Sequence, residues 1–138
     1  MAEVIPDGIK KVQALKVTVE HVSNRKVCVI DTGYDIEHPD LPNGNHVTGS
    51  TGNAGDWNKD EYGHGTHCAG TIAAIGGNNR GVVGVVRSGL MKMHIVRVFD
   101  SNANWAWGFD LLNAVSSLLS LPKQECGHFL MQNDCLTA

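Results

Sequence analysis

Lys26-Val27-Cys28-Val29-Ile30-Asp31-Thr32-Gly33 is a short, nearly continuous apolar run that ends in a carboxylate and then in a Thr-Gly turn. A run without polar alternation reads as a strand buried on both faces, the habit of parallel sheets covered by helices. In open α/β sheets, functional groups gather at the carboxyl ends of strands, which is where Asp31 falls. A second reading of the same residue is local: an Asp here caps the turn that follows.

Outward from this strand, residues 9–19 read as an amphipathic helix with Ile9, Val12 and Leu15 on one side. Residues 39–45 are turn chemistry, 45–50 a second short strand, and 51–63 a polar, Gly-rich loop. Small apolar residues over 66–75 predict a buried helix beginning near His64 that packs closely on the sheet. His94-Ile95-Val96-Arg97-Val98-Phe99 is a third strand. Residues 108–121, apolar at 111, 112, 115, 118 and 119, form a last helix, which Pro122 ends. The order helix, strand, strand, helix, strand, helix favours an α/β layered sheet.

With 138 residues, 42% of them hydrophobic, the chain can bury one core and hardly two. A net charge of -3 without a long run of either sign argues against nucleic acid or an anionic membrane as partner. No apolar stretch approaches a bilayer span, and the opening residues lack the basic and apolar regions of a secretion signal, so the compartment stays open. Cys28, Cys68, Cys126 and Cys135 allow three pairings if all are bonded.

His64-Gly65-Thr66-His67-Cys68-Ala69-Gly70 admits three chemistries. His64 could be a general base oriented by Asp31 through the fold. His64 and His67, three residues apart on one helical face, could bind a metal such as zinc together with Cys68 or another His. Both could be structural, with His67 buried and hydrogen-bonded.

The surroundings of the two blocks bring in a family. Val29-Ile30-Asp31-Thr32-Gly33-Tyr34-Asp35-Ile36-Glu37-His38-Pro39-Asp40-Leu41 resembles the Asp motif of the subtilisin-like serine proteases, and the segment from Asn58 through His64-Gly65-Thr66-His67 to Ala74 resembles their His motif, in the family's order and spacing. The resemblance covers residues 6 to 121. It implies an α/β, three-layer parallel-sheet subtilisin-like fold, truncated after the third core strand and the following helix. Residues 1–121 are then the N-terminal part of a peptidase catalytic domain, and 122–138 a tail that does not match.

Carried over by position, the resemblance makes Asp31 the residue that holds the imidazole tautomer and His64 the general base, then acid. His67 becomes structural, Gly65 and Gly70 become points of close backbone approach, and Cys68 a buried free thiol near the site. Ser101, Trp105 and Trp107 become the edge and walls of a cleft for an extended polypeptide. One or both Trp could instead simply cover the helix that follows. Asp40 and Asn78 become ligands of a weak structural calcium, since the loop Gly76-Gly77-Asn78-Asn79-Arg80 has no acid of its own. The implied partners are a polypeptide substrate and a propeptide; the family is commonly secreted.

The departures matter as much. Family members need a Gly-Thr-Ser-type segment for the nucleophile and an Asn donor for the oxyanion. Neither occurs, and Ser88, Ser101, Ser116, Ser117 and Ser120 lack a nucleophile context. The expectation is a serine endopeptidase by family that is inactive as this chain alone, with a non-catalytic peptide-binding or decoy domain as the alternative. If the sheet follows the family's order, the 27–31 strand also loses a neighbour after Leu121 and becomes an apolar edge prone to aggregation. The tail, with Gly127, Asn133 and Asp134, reads as a poor substitute strand.

Overall fold

The computed structural model describes residues 2–19, 22–105, 108–120 and 128–131. Its centre is β1 (Lys26–Asp31), whose last four residues are all buried. On one side β1 pairs in parallel with β3 (Lys92–Arg97), setting Asp31 opposite Arg97. β2 (Val47–Ser50) pairs in parallel with the outer side of β3. On the other side of β1 lies β4 (His128–Met131), also parallel, which gives the order β2-β3-β1-β4.

β4 corrects the expectation of an open edge. Residues 128–131 are the apolar part of the tail, and their backbone supplies the partners that β1 needs on its second side. Gly127, Asn133 and Asp134, the residues that argued against a strand, lie outside the described residues.

The doubly apolar character of β1 divides between two cores. Val29 joins Met93, Ile95, Tyr34, Leu41 and the small residues Ala69 and Ala73 of α2 (His64–Ala73). Cys28 and Ile30 point the other way, into Val96, Val98, Phe99 and Ala114 of α3 (Gly108–Ser120). Helix, sheet and helix form the three layers. Small residues bring α2 close to the sheet: a Cβ on Gly65 would run into the Gly33 carbonyl oxygen and lie 3.1 Å from Asp31 Cβ. Gly70 does not share this role, since its added Cβ would meet only Leu41 Cδ2 at 3.9 Å, an ordinary contact.

Two helices differ from expectation. The N-terminal helix is only α1 (Asp7–Lys11), because Gln13 takes a left-handed φ of 57° and a 3₁₀ turn follows over Ala14–Lys16. Ile9 of α1 and Ala14 of the 3₁₀ turn are buried, whereas Val12 and Leu15 are exposed. In α3 the buried face is set by Ala114, with Leu111 and Val115 beside it. Leu112 is 64% exposed and Phe109 74% exposed, so the apolar stripe is broader than the face that packs.

Candidate active site

Asp31 ends β1 and His64 opens α2, so strand and helix deliver the two side chains to the same point at the carboxyl end of the sheet. His64 Nδ1 lies 2.8 Å from Asp31 Oδ1 and 3.0 Å from Oδ2. Asp31 Oδ1 also accepts the Thr32 backbone N–H at 2.7 Å. The carboxylate is 1% exposed and the imidazole side chain 14%. A carboxylate facing Nδ1 fixes the proton on that nitrogen of a neutral ring and leaves the lone pair on Nε2, the atom a general base uses.

Cys68 sits one turn further along α2, with Sγ 3.7 Å from His64 Nδ1. It is buried, as expected, but it is disulfide-bonded, as is Cys28, which corrects the expectation of a free thiol. The zinc arrangement is not assembled either. Ligand atoms of Asp31, His64 and Cys68 lie within 4.8 Å of one another, but His67 is outside that cluster. A sulfur held in a disulfide is no thiolate ligand. His67 is exposed on α2, where its carbonyl accepts the Thr71 hydroxyl, so its expected burial is also corrected.

Beyond β3 the chain turns through a loop at the same end of the sheet. Asp100 closes it, its carboxylate accepting the backbone N–H groups of Asn104 and Asn102, which hold its pKa below the ordinary carboxylate value. Ser101 is exposed near the tip. Trp105 is half exposed; its ring lies 4.2 Å from the Phe99 ring, and its backbone bridges that of Phe99. Trp107 lies outside the described residues.

Asp40 and Asn78 are brought together elsewhere. Asp40, buried, accepts Asn78 Nδ2 at 2.7 Å and the Val82 N–H at 2.9 Å. Glu3 reaches the same loop, its Oε1 accepting the Gly77 and Asn78 N–H groups. Carboxylates, an amide oxygen and loop carbonyls are the chemistry a calcium ion takes. Here Asn78 turns its Nδ2 toward Asp40 and its Oδ1 toward the Arg80 N–H, so its amide oxygen is not presented beside the Asp40 carboxylate.

Three residues to which sequence reading gave no role complete the surroundings. Asp60 accepts hydrogen bonds from Thr32 and Thr66. Arg97, 5% exposed, donates from Nε to the Phe99 carbonyl at 3.1 Å and from Nη1 to the Lys59 carbonyl at 3.0 Å. Its Nη2 meets Glu61 at 2.8 Å; Glu61, which also accepts its own backbone N–H, is held below the ordinary carboxylate value. A lone cation inside the apolar run of β3 was the available signal for Arg97, and an acidic residue just ahead of a helix start was the signal for Asp60.

A parallel sheet between helices, with a helix-opening His against a strand-end Asp, defines an α/β protein of the subtilisin-like kind. The solved structure of the psychrophilic subtilisin-like protease Apa1 from the Antarctic psychrotroph Pseudoalteromonas sp. AS-11 superposes with a TM-score of 0.82 at 38% identity, over 94% of this chain and 29% of that one. The subtilase family model matches residues 23–125, and the chain belongs to that family. It is 36% identical over 116 residues to the major intracellular serine protease of Bacillus subtilis (strain 168), covering 79% of this chain and 36% of that protein. It is 36% identical over 123 residues to subtilisin E of the same organism, covering 86% and 30%. The chain thus spans about a third of the length of these relatives. Among the described residues no helix is long and apolar enough to cross a membrane.

Proposed function

We propose that this chain carries the Asp–His portion of a subtilisin-like serine endopeptidase, with Asp31 orienting the imidazole and His64 serving as general base and then acid. The observation that carries this is the Asp31–His64 hydrogen bond of 2.8 Å, made by a buried carboxylate at a strand end. In the full reaction His64 Nε2 takes the proton of a serine hydroxyl as that oxygen attacks the peptide carbonyl, then gives it to the leaving amine. Asp31 stays ionised throughout and stabilises the imidazolium. The exposed edge at Ser101 and Trp105 is the surface along which an extended polypeptide would lie.

The 138 residues contain neither a serine in nucleophile context nor an Asn oxyanion donor. Loss of the serine from such a triad costs roughly 10⁶-fold in rate, so the chain alone is inactive. The test is hydrolysis of a chromogenic peptide or ester by the purified chain. No burst is expected; a burst that His64→Ala abolishes would overturn the inactivity and show a nucleophile within these residues.

A calcium ion at Asp40 and Asn78 is weak on this reading, because Asn78 presents its amide NH₂, not its oxygen, to Asp40 and would have to turn over to serve as a ligand. Millimolar calcium should raise the melting temperature slightly, and Asp40→Asn should remove the rise.

A further inference from the structure

Asp60 lies in the loop ahead of α2 and touches neither Asp31 nor His64 in any described hydrogen bond, yet its carboxylate joins the two segments that carry them. One oxygen accepts the Thr32 hydroxyl at 2.7 Å and the Gly63 N–H at 2.9 Å. The other accepts the Thr66 N–H at 2.8 Å and the Thr66 hydroxyl at 2.6 Å. Each hydroxyl accepts in turn from the opposite segment: Thr32 Oγ1 from the Gly65 N–H at 2.9 Å, Thr66 Oγ1 from the Asp35 N–H at 3.0 Å. The turn that leaves Asp31 and the first turn of α2 are therefore laced in both directions, with Asp60 as the acceptor at the centre.

We propose that Asp60 is a positioning residue for the Asp31–His64 pair, holding the end of β1 and the start of α2 in the register that the pair's hydrogen bond requires. This rests on the reading of Asp31 and His64 as the working pair. The chemistry demands a carboxylate. Both oxygens face two donors each, and one of each two is a backbone N–H, of Gly63 or of Thr66, which can only donate. An amide at this position places its NH₂ group against donors whichever way it is rotated. Burial opposes ionisation of Asp60, but the hydrogen bonds from Thr66, Thr32 and Gly63 outweigh it and keep its pKa below the ordinary value. The two segments have no slack, since Gly65 already lies against the Gly33 carbonyl.

The experiment is proton NMR of the purified chain, reading the low-field His64 Nδ1–H resonance and its exchange with solvent. Absence of that resonance from the unmutated chain would refute the pair itself, and the inference with it. With the resonance present, Asp60→Asn should speed its exchange by about tenfold or more, the loss expected from charge-assisted hydrogen bonds. The amides of β1 and β3 should slow or speed far less. Thr32→Val should give a smaller change in the same direction, and Thr32→Ser should restore the unmutated behaviour. An unchanged Nδ1–H in folded Asp60→Asn would overturn the proposal, as would acceleration no greater than that of the sheet amides, the mark of a merely stabilising residue. If Asp60→Asn does not fold, Thr32→Val decides: unchanged exchange in that variant overturns the proposal.

Discussion

Replacing Arg97 by Met keeps most of an apolar stem but removes the fork that ties the end of β3 to the loop ahead of α2. The guanidinium serves the Phe99 and Lys59 carbonyls at 3.1 and 3.0 Å, the Asp56 carbonyl at 3.4 Å, and Glu61 at 2.8 Å. A hydrogen bond to a charged group contributes about 1.5–3 kcal/mol, and bonds that share one donor group do not add fully, so we expect a loss of about 3 kcal/mol. At a melting entropy near 2.1 cal/mol/K per residue, that corresponds to about 10 °C in Tm for a domain of this size. Glu61 is half exposed, so Glu61→Gln should cost no more than about 1 kcal/mol. Arg97→Lys should lie between, because one ammonium cannot reach three carbonyls on divergent lines. Urea unfolding followed by circular dichroism, with unchanged m-values, reads all three variants. If Glu61→Gln cost as much as Arg97→Met, the rim ion pair rather than the carbonyl fork would hold the loop, and the reasoning would fail. A lysine variant as stable as the parent would refute it equally.

The two glycines of α2 should respond oppositely to alanine. Gly65→Ala forces apart the β1 turn and the helix at a cost of about 2–3 kcal/mol, whereas Gly70→Ala, whose methyl would make only an ordinary contact with Leu41, should be neutral or stabilise by about 0.5–1 kcal/mol; chemical denaturation distinguishes them. Stability should also fall on acidification. The folded pKa of Asp60 is lowered from 3.8, so its contribution is fully present above that value and is lost as pH drops through the lower folded one. Asp60→Asn should flatten the stability curve below about pH 4, leaving the smaller slope due to Glu61 and Asp100.

Much of this was legible in the chain because particular residues carry their context locally. The unbroken apolar run of 27–30 announces a strand covered on both faces, and Val29 against Cys28 and Ile30 fill opposite cores as that requires. The small residues of 64–73 announce a helix pressed against a sheet. What escaped depends on long-range partners. Nothing local distinguishes Leu112 from Leu111, yet the placement of α3 exposes one and half-buries the other. Residues 128–131 carry a weak strand signal, and become β4 because β1 has unpaired backbone beside them. Asp60 and Thr32 are 28 residues apart, so their hydrogen bond has no sequence signature.

As proposed above, Asp31 and His64 would form the working pair of a subtilisin-like peptidase once a serine completes it. Replacing the matching segment of subtilisin E with residues 2–120 tests it most directly, with circular dichroism to confirm that the chimera folds. A folded chimera should hydrolyse a chromogenic peptide, and Asp31→Ala and His64→Ala should each abolish most of that activity. A folded chimera with no activity, or one whose activity survives His64→Ala, would contradict the account.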